Sequence, residues 1–209
     1  MLFKETVAPA TLALLKKLCS EPLLQAFALG GGTGIALQRG HRISVDLDFF
    51  ANQPFSNTDI YKYITALPGK KELLFEQNQT MMFMIGDVKV DFILYPFAWL
   101  QPFTIAEDCR LIHQDDIIPM KLQAVSNRFA KKDFYDIETL LSSYTLQEML
   151  NIFTQKFPDI DIGFLIHSLT HFDKADEEEN PILLPASKSW KQIKENLQKA
   201  VRAYTLNAK

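Results

Sequence analysis

Cysteine is scarce in this chain: two thiols, Cys19 and Cys109, in 209 residues. They lack Cys-x-x-Cys spacing and stand far from the histidines, so no zinc site or disulfide framework is expected, and the default is a reduced, cytoplasmic protein. Long hydrophobic runs are missing as well. The longest, 81–85 and 92–100, fall far short of the roughly 20 residues of a membrane span. Residues 1–10 carry Lys4 and Glu5 without an apolar segment, so no signal peptide is expected. Nor is there an excess of positive charge. Twenty-two Lys plus Arg against 25 Asp plus Glu give 22 − 25 = −3, which argues against a protein that coats nucleic acid through bulk charge. The P-loop, the dinucleotide-binding G-x-G-x-x-G and the hydrolase G-x-S-x-G elbow are all absent. So is any repeat of solenoid period. The one biased stretch, 173–180 with Glu177, Glu178 and Glu179 in a row, reads as a solvated loop.

What is present is 47% hydrophobic content, enough for a packed core without staples. Helical periodicity is expected over 11–18 and 58–67, and an apolar stretch over 23–29 runs into Gly30, Gly31 and Gly32. Thr33 is placed as an N-cap for a brief helix closed by Gly40. Residues 44–50 alternate Val45, Leu47 and Phe49 with Ser44, Asp46 and Asp48, the period of a half-buried strand. Further strands are expected over 72–77, 80–85 and 89–95, the last two joined by a Gly86-Asp87 turn. Beyond Gln114 the pattern turns helical, over 115–129, 134–144, 146–157, 160–172 and 187–204. The fold class expected is α+β, an α/β-patterned N-terminal half with a mixed sheet and flanking helices, then a C-terminal helical bundle. The domain boundary falls near 113, giving 1–113 and 114–209.

The chemistry concentrates in the first half. Glycines at the mouth of a helix let backbone N–H groups approach phosphate oxygens, and the helix dipole adds a modest ~0.3–1 kcal/mol per charge. Asp46 and Asp48, two residues apart on a strand, share a face and offer hard oxygens to Mg²⁺ bridging substrate phosphates. Asp91, on another strand, completes the set if the two strands are neighbours, and is placed on the side of the attacking hydroxyl. Each piece has a plainer reading: a tight turn, two solvated acids, one isolated acid. Their order within α/β-patterned sequence favours a nucleoside triphosphate and its metal. On a continuous helix Arg128 and Lys132 fall about 20° to either side of Lys121, a stripe that either counters triphosphate charge or is a solvated basic face. His41 and Arg42 either touch phosphate or, for Arg42, pair with a nearby carboxylate. His113, His167 and His171 show no zinc spacing, and the His167–His171 pair reads as helix packing.

These residues resemble a known family. Leu29-Gly30-Gly31-Gly32-Thr33 through Gly40-His41-Arg42-Ile43-Ser44-Val45-Asp46-Leu47-Asp48-Phe49-Phe50 is similar to the first motif of the AbiEii/AbiGii-type nucleotidyltransferases, toxins of the polymerase-beta-like superfamily. Lys89-Val90-Asp91 resembles the second motif, and Lys121, Arg128, Lys132 and Asp133 the third, with Asp136 as its closing acid. The resemblance covers roughly 27–140. It implies Asp46, Asp48 and Asp91 as catalytic metal ligands, and Gly31, Gly32, Thr33, Arg42, Ser44, Lys89, Lys121, Arg128, Lys132 and Asp133 as nucleotide contacts. It implies Mg²⁺ or Mn²⁺, an NTP substrate, an RNA acceptor such as a tRNA 3′ end, and a cognate antitoxin. Two alternatives stay open: AMP transfer to a protein hydroxyl, and a degenerate nucleotide-binding interaction protein. The segment 185–209 holds Lys188, Lys191, Lys194, Lys199, Arg202 and Lys209 against Glu195, 6 − 1 = +5, which is either a track for an RNA backbone or a soluble helix exterior.

Overall fold

The computed structural model describes residues 2–185 and 187–207. The chain forms two compact units: Met1–Gly40 with Ser44–His113, and His41–Ile43 with Gln114–Lys209. Three residues of the first half therefore belong to the second unit.

The first unit is built on a seven-stranded mixed sheet. Its strands are β1 (Ala28–Leu29), β2 (Leu47–Ala51), β3 (Lys71–Gln77), β4 (Thr80–Ile85), β5 (Val88–Leu94), β6 (Thr104–Ala106) and β7 (Cys109–Leu111), in the spatial order β3-β4-β5-β2-β1-β7-β6. β1 runs antiparallel to β2 and parallel to β7, while β2 runs parallel to β5. Its helices are α1 (Pro9–Cys19), α2 (Gly31–Arg39) and α3 (Asn57–Ala66). β2 buries Leu47, Phe49 and Ala51 and leaves Asp48 and Phe50 on the opposite face, so the alternation read from sequence holds over its length. Leu15, Leu18, Phe27, Leu37, Phe49, Ile64, Phe83 and Phe92 fill the core on the buried side. The β6–β7 hairpin is not expected from sequence. Its turn, Glu107-Asp108, sits at φ 49° and 65°, a left-handed pair usually marked by Asn or Gly.

The second unit is helical: α4 (Gln114–Arg128), α5 (Lys131–Leu140), α6 (Leu146–Lys156), α7 (Ile162–Ser168), α8 (Asp173–Glu177) and α9 (Trp190–Asn207). Thr145 and Glu148 close a reciprocal capping box at the start of α6. The Trp190 ring packs on Phe134, Tyr135 and Phe172, and the Lys131 and Lys194 ammonium groups lie over it at 5.4 and 5.7 Å. The acidic run differs from its sequence reading. Part of it is α8, and the Glu178 carboxylate accepts from the Lys131 amide at 2.7 Å, capping α5. Segment 41–43 joins this unit through the Ile43 amide, which donates to Ile182 O at 2.8 Å, and an Arg42–Leu183 bridge.

Candidate active site

In the first unit, β1 delivers the chain into the glycine turn, and α2 begins inside it. Gly30, not Thr33, is the N-cap, and the first intrahelical bond runs from Gly34 N to Gly30 O at 2.7 Å. The amides of Gly31, Gly32 and Thr33 precede that bond and point out of the helix start. Gly31 has φ +58°, and a Cβ there would meet Asp48 Oδ2 at 1.9 Å, so only glycine lets the helix mouth sit against this carboxylate. Thr33 turns inward, fully buried. Its hydroxyl donates to Asp46 O and shares a hydrogen bond with Ser44 Oγ at 2.8 Å, tying the helix start to the strand that carries the acids.

The β2–β5 register sets Asp48 directly opposite Asp91 on one face of the sheet. Asp91 is buried. Lys89 Nζ donates to its Oδ2 at 2.5 Å, while its Oδ1 is buried without a hydrogen-bond partner. Asp46 is half-buried, one residue ahead of β2. Among the described residues no three His, Cys, Asp or Glu side chains form a preformed metal cage. The acids present a pair on neighbouring strands with a third on the approach to β2.

The second unit holds a separate ionic centre. Asp136, fully buried, accepts from Arg42 Nε at 2.8 Å and Nη2 at 3.0 Å, lies 2.7 Å from His41 Nε2, and pairs with Lys121 Nζ at 2.6 Å. Asp133, also buried, accepts from Arg128 Nε at 2.6 Å and Nη2 at 2.8 Å, and from Lys121 Nζ at 3.2 Å. Burial alone would push the Asp136 carboxyl up, but the charges of Lys121 and Arg42 and bonds from His41 and Arg42 hold it well below the usual range. Asp133 is likewise lowered: burial opposes, and the Arg128 bond and the Lys121 charge prevail. Burial acts against the Arg42 cation, and Asp136 overrides it to raise its pKa.

This centre corrects the continuous cationic stripe. Helix α4 stops at Arg128, Phe129 adopts φ 53°, and α5 starts at Lys131, so Lys132 leaves the line of Lys121 and Arg128 and stands exposed. Arg42 takes its pairing role with Asp136, and the Arg128 fork closes on Asp133. A buried ion pair was not apparent from sequence: Lys156 Nζ to Asp116 Oδ1 at 2.5 Å, joining α6 to α4. The last helix starts at Trp190 and not at Ser187; just ahead of it Lys188 pairs with Glu138 at 2.5 Å, and within it Lys194 pairs with Asp176 at 2.9 Å, which leaves less unbalanced charge than the sequence count gives. Lys209, one of the counted cations, lies outside the described residues.

The family described as "Nucleotidyl transferase AbiEii toxin, Type IV TA system" matches residues 13–208. "Uncharacterized protein aq_aa25" of Aquifex aeolicus (strain VF5) is 30% identical over 199 residues, spanning 92% of this chain and 95% of that one. Among solved structures, JHP933 from Helicobacter pylori superposes with a TM-score of 0.56 at 17% identity, over 97% of this chain and 98% of its own. MenT4, nucleotidyltransferase toxin Rv2826c from Mycobacterium tuberculosis H37Rv, does so with a TM-score of 0.51 at 14% identity, over 90% and 82%. At these identities the structural likeness is one of fold, and it matches the mixed sheet and helices found here. The sequence match nearly end to end identifies the chain as a member of the AbiEii family of nucleotidyltransferase toxins of type IV toxin–antitoxin systems.

Proposed function

We propose that this protein transfers a nucleoside monophosphate from an NTP, bound with Mg²⁺ or Mn²⁺, to a hydroxyl of an RNA such as a tRNA 3′ end, and that a cognate antitoxin limits this activity. The observation that carries the reading is the register of Asp48 against Asp91, with Asp48 against Gly31 of the glycine turn and Asp91 Oδ1 buried and unbonded. Mg²⁺ is usually held by one or two carboxylates completed by substrate phosphates and water, not by an all-protein cage. A pair of acids on neighbouring strands with a third acid close by in sequence fits that donor set. When bound, the metal neutralises phosphate charge and favours the nucleophilic form of a hydroxyl.

The protein's own groups then have distinct tasks. The Gly31 and Gly32 amides meet phosphate oxygens at the helix start, where the dipole favours anions. Asp46, Asp48 and Asp91 hold the metal, and Asp91 stands on the side of the attacking hydroxyl. Lys89 sets the Asp91 carboxylate by gripping one oxygen. Thr33 and Ser44 act by positioning, since their hydroxyls bond to each other and to the Asp46 backbone. The hydroxyl oxygen bonds to the α-phosphorus, the bond from that phosphorus to the β-phosphate bridging oxygen breaks, and pyrophosphate leaves with the electron pair. The hydroxyl proton passes to the Asp91 side. The third-motif residues Lys121, Arg128, Lys132 and Asp133 are assigned to the nucleotide by the family resemblance, and within their own unit Arg128 and Lys132 are the members with exposed side chains.

The test is incubation with each labelled NTP, Mg²⁺ or Mn²⁺, and a mixture of total RNA and protein. Metal-dependent label in RNA supports the reading. Label in protein instead transfers the acceptor role to a protein hydroxyl. Absence of label in both leaves a nucleotide-binding interaction protein.

A further inference from the structure

Beyond the carboxylates the same face of the sheet becomes aromatic. Asp48 and Phe50 share it on β2, and Asp91 and Ile93 share it on β5 in matching register. Tyr95 extends the row, its amide donating to Ala51 O at 2.8 Å just past the end of the ladder. Two strand residues advance about 7 Å, so the first ring stands one such step from the acids. From Phe50 the rings continue without a gap into segment 95–103. Phe50 meets Tyr95 edge-on at 6.2 Å, Tyr95 stacks on Trp99 at 5.5 Å and tilts against Phe97 at 5.0 Å, and Trp99 meets Phe103 edge-on at 5.4 Å. Phe97 is 41% exposed, and Phe50, Tyr95 and Trp99 are half-buried. A Cβ on Gly30 would come within 2.9 Å of the Phe50 ring, so the row begins against the glycine turn as well as against the acids.

Flat π-faces next to metal-binding oxygens suit a ligand that is planar at one end and anionic at the other. A wholly apolar ligand over these rings would bring hydrocarbon up to two carboxylates, a desolvation that costs free energy. A nucleotide avoids this: its phosphate meets the acids through a metal, and its base, one sugar away, reaches the rings. Stacking tolerates any base, because every base has a π-face. We propose that Phe50, Tyr95, Phe97 and Trp99 form a stacking platform for an unpaired nucleobase beside the transfer site. This rests on the nucleotidyl-transfer reading above. The base comes either from the NTP or from the 3′ end of the acceptor, two sources with one chemistry.

The chain has two tryptophans, so Trp190→Phe leaves Trp99 as the sole indole reporter. Its emission is titrated, with Mg²⁺ present, against the four NTPs, against single-stranded oligoribonucleotides, and against inorganic tripolyphosphate, which carries the charge without a base. The expected result is a change in Trp99 emission with base-bearing ligands and none with tripolyphosphate. Phe97→Leu, at an exposed position, should weaken base-dependent binding roughly 5- to 150-fold, the range for loss of one base–aromatic stack, and Phe97→Tyr should retain it. A response to the NTPs assigns the donor base, and a response to RNA alone assigns the acceptor base. Equal responses to tripolyphosphate and NTP, or unchanged affinity in Phe97→Leu together with Phe50→Leu, overturn the platform. Because this titration needs no turnover, base-dependent binding without polymer labelling would sink the transfer reading and keep the platform. Labelling with base-blind binding would do the reverse.

Discussion

Replacing Asp136 by Asn separates a structural acid from a catalytic one. The substitution keeps the shape and removes the charge around which Arg42, His41 and Lys121 are arranged. Asn offers one oxygen, and its NH₂ would face the donors of Arg42, so the change also sets donor against donor. Lys121 keeps Asp133 at 3.2 Å, but Arg42, 4% exposed, loses the carboxylate that accepts from both its Nε and its Nη2. Breaking one partner of a buried pair costs about 3–5 kcal/mol, against a total stability of ~5–15 kcal/mol for ordinary domains. For a chain of this size each kcal/mol moves Tm by about 2–4 °C, so the expected fall is roughly 6–20 °C at pH 7. Thermal melts followed by circular dichroism, without nucleotide, measure it. A second arm uses pH. Asp136 is depressed when folded, so its contribution is complete above the ordinary value of 3.8 and is lost as pH falls through the folded value. The acid limb of the wild-type stability curve should therefore be steeper than that of Asp136→Asn. A Tm within 2 °C of wild type, with parallel acid limbs, would refute the argument and return Asp136 to the chemistry.

Asp48→Ala should abolish metal-dependent transfer while the Tm holds or rises slightly, because removing one acid relieves repulsion between neighbours, and Asp91→Ala should abolish it with some loss of Tm, because the Lys89 ion pair goes with the buried carboxylate; near-wild-type activity in either variant would remove the pair from the site. Gly31→Ala should cost about 1–3 kcal/mol for a left-handed residue bearing a side chain and displace the Asp48 carboxylate, so a denaturant titration and an activity assay should both fall, and a neutral result in both would contradict the close approach. Changing Lys191, Lys199 and Arg202 to Gln should raise the RNA KM and flatten its salt dependence with NTP binding unaffected, whereas Lys188 and Lys194, held by Glu138 and Asp176, should matter less to RNA; identical salt series for the triple variant and the parent would take α9 out of the acceptor site.

Much of this was legible in the sequence because it is local. Alternation over 47–50 placed Asp48 opposite the core side, although ahead of β2 it fails, with Val45 exposed and Ser44 buried, and Gly86-Asp87 announced its hairpin, with Gly86 at φ 60°. Pairing across long separations was not legible. Nothing in residues 46–48 says that β5, some forty residues on, lies beside them in parallel with Asp48 against Asp91. Thr33 read as a cap because Ser and Thr favour that position, yet the helix began earlier and its hydroxyl served tertiary packing instead. The helical pattern ends at 129 in the sequence as well, but a stripe running on to Lys132 treats it as continuous; Arg128-Phe129-Ala130-Lys131 contains neither Gly nor Pro to mark the left-handed turn that takes Lys132 out of line. The cations of the third motif were plain, and so were Asp133 and Asp136. That they neutralise one another in the interior depends on two helices and a distant tripeptide meeting, which no periodicity reports.

That tripeptide imposes an order on biosynthesis. His41 and Arg42 leave the ribosome long before Asp136, since 94 residues separate Arg42 from the carboxylate it grips. At about 5–20 residues per second, the guanidinium waits roughly 5–20 s for its counter-ion. A nascent chain halted anywhere before α5 therefore carries a stranded cation, and neither 1–113 nor 114–209 expressed alone can rebuild the pair. Cutting at the break between sheet and helices would sever the ionic centre, so the two units are inherited, expressed and lost together.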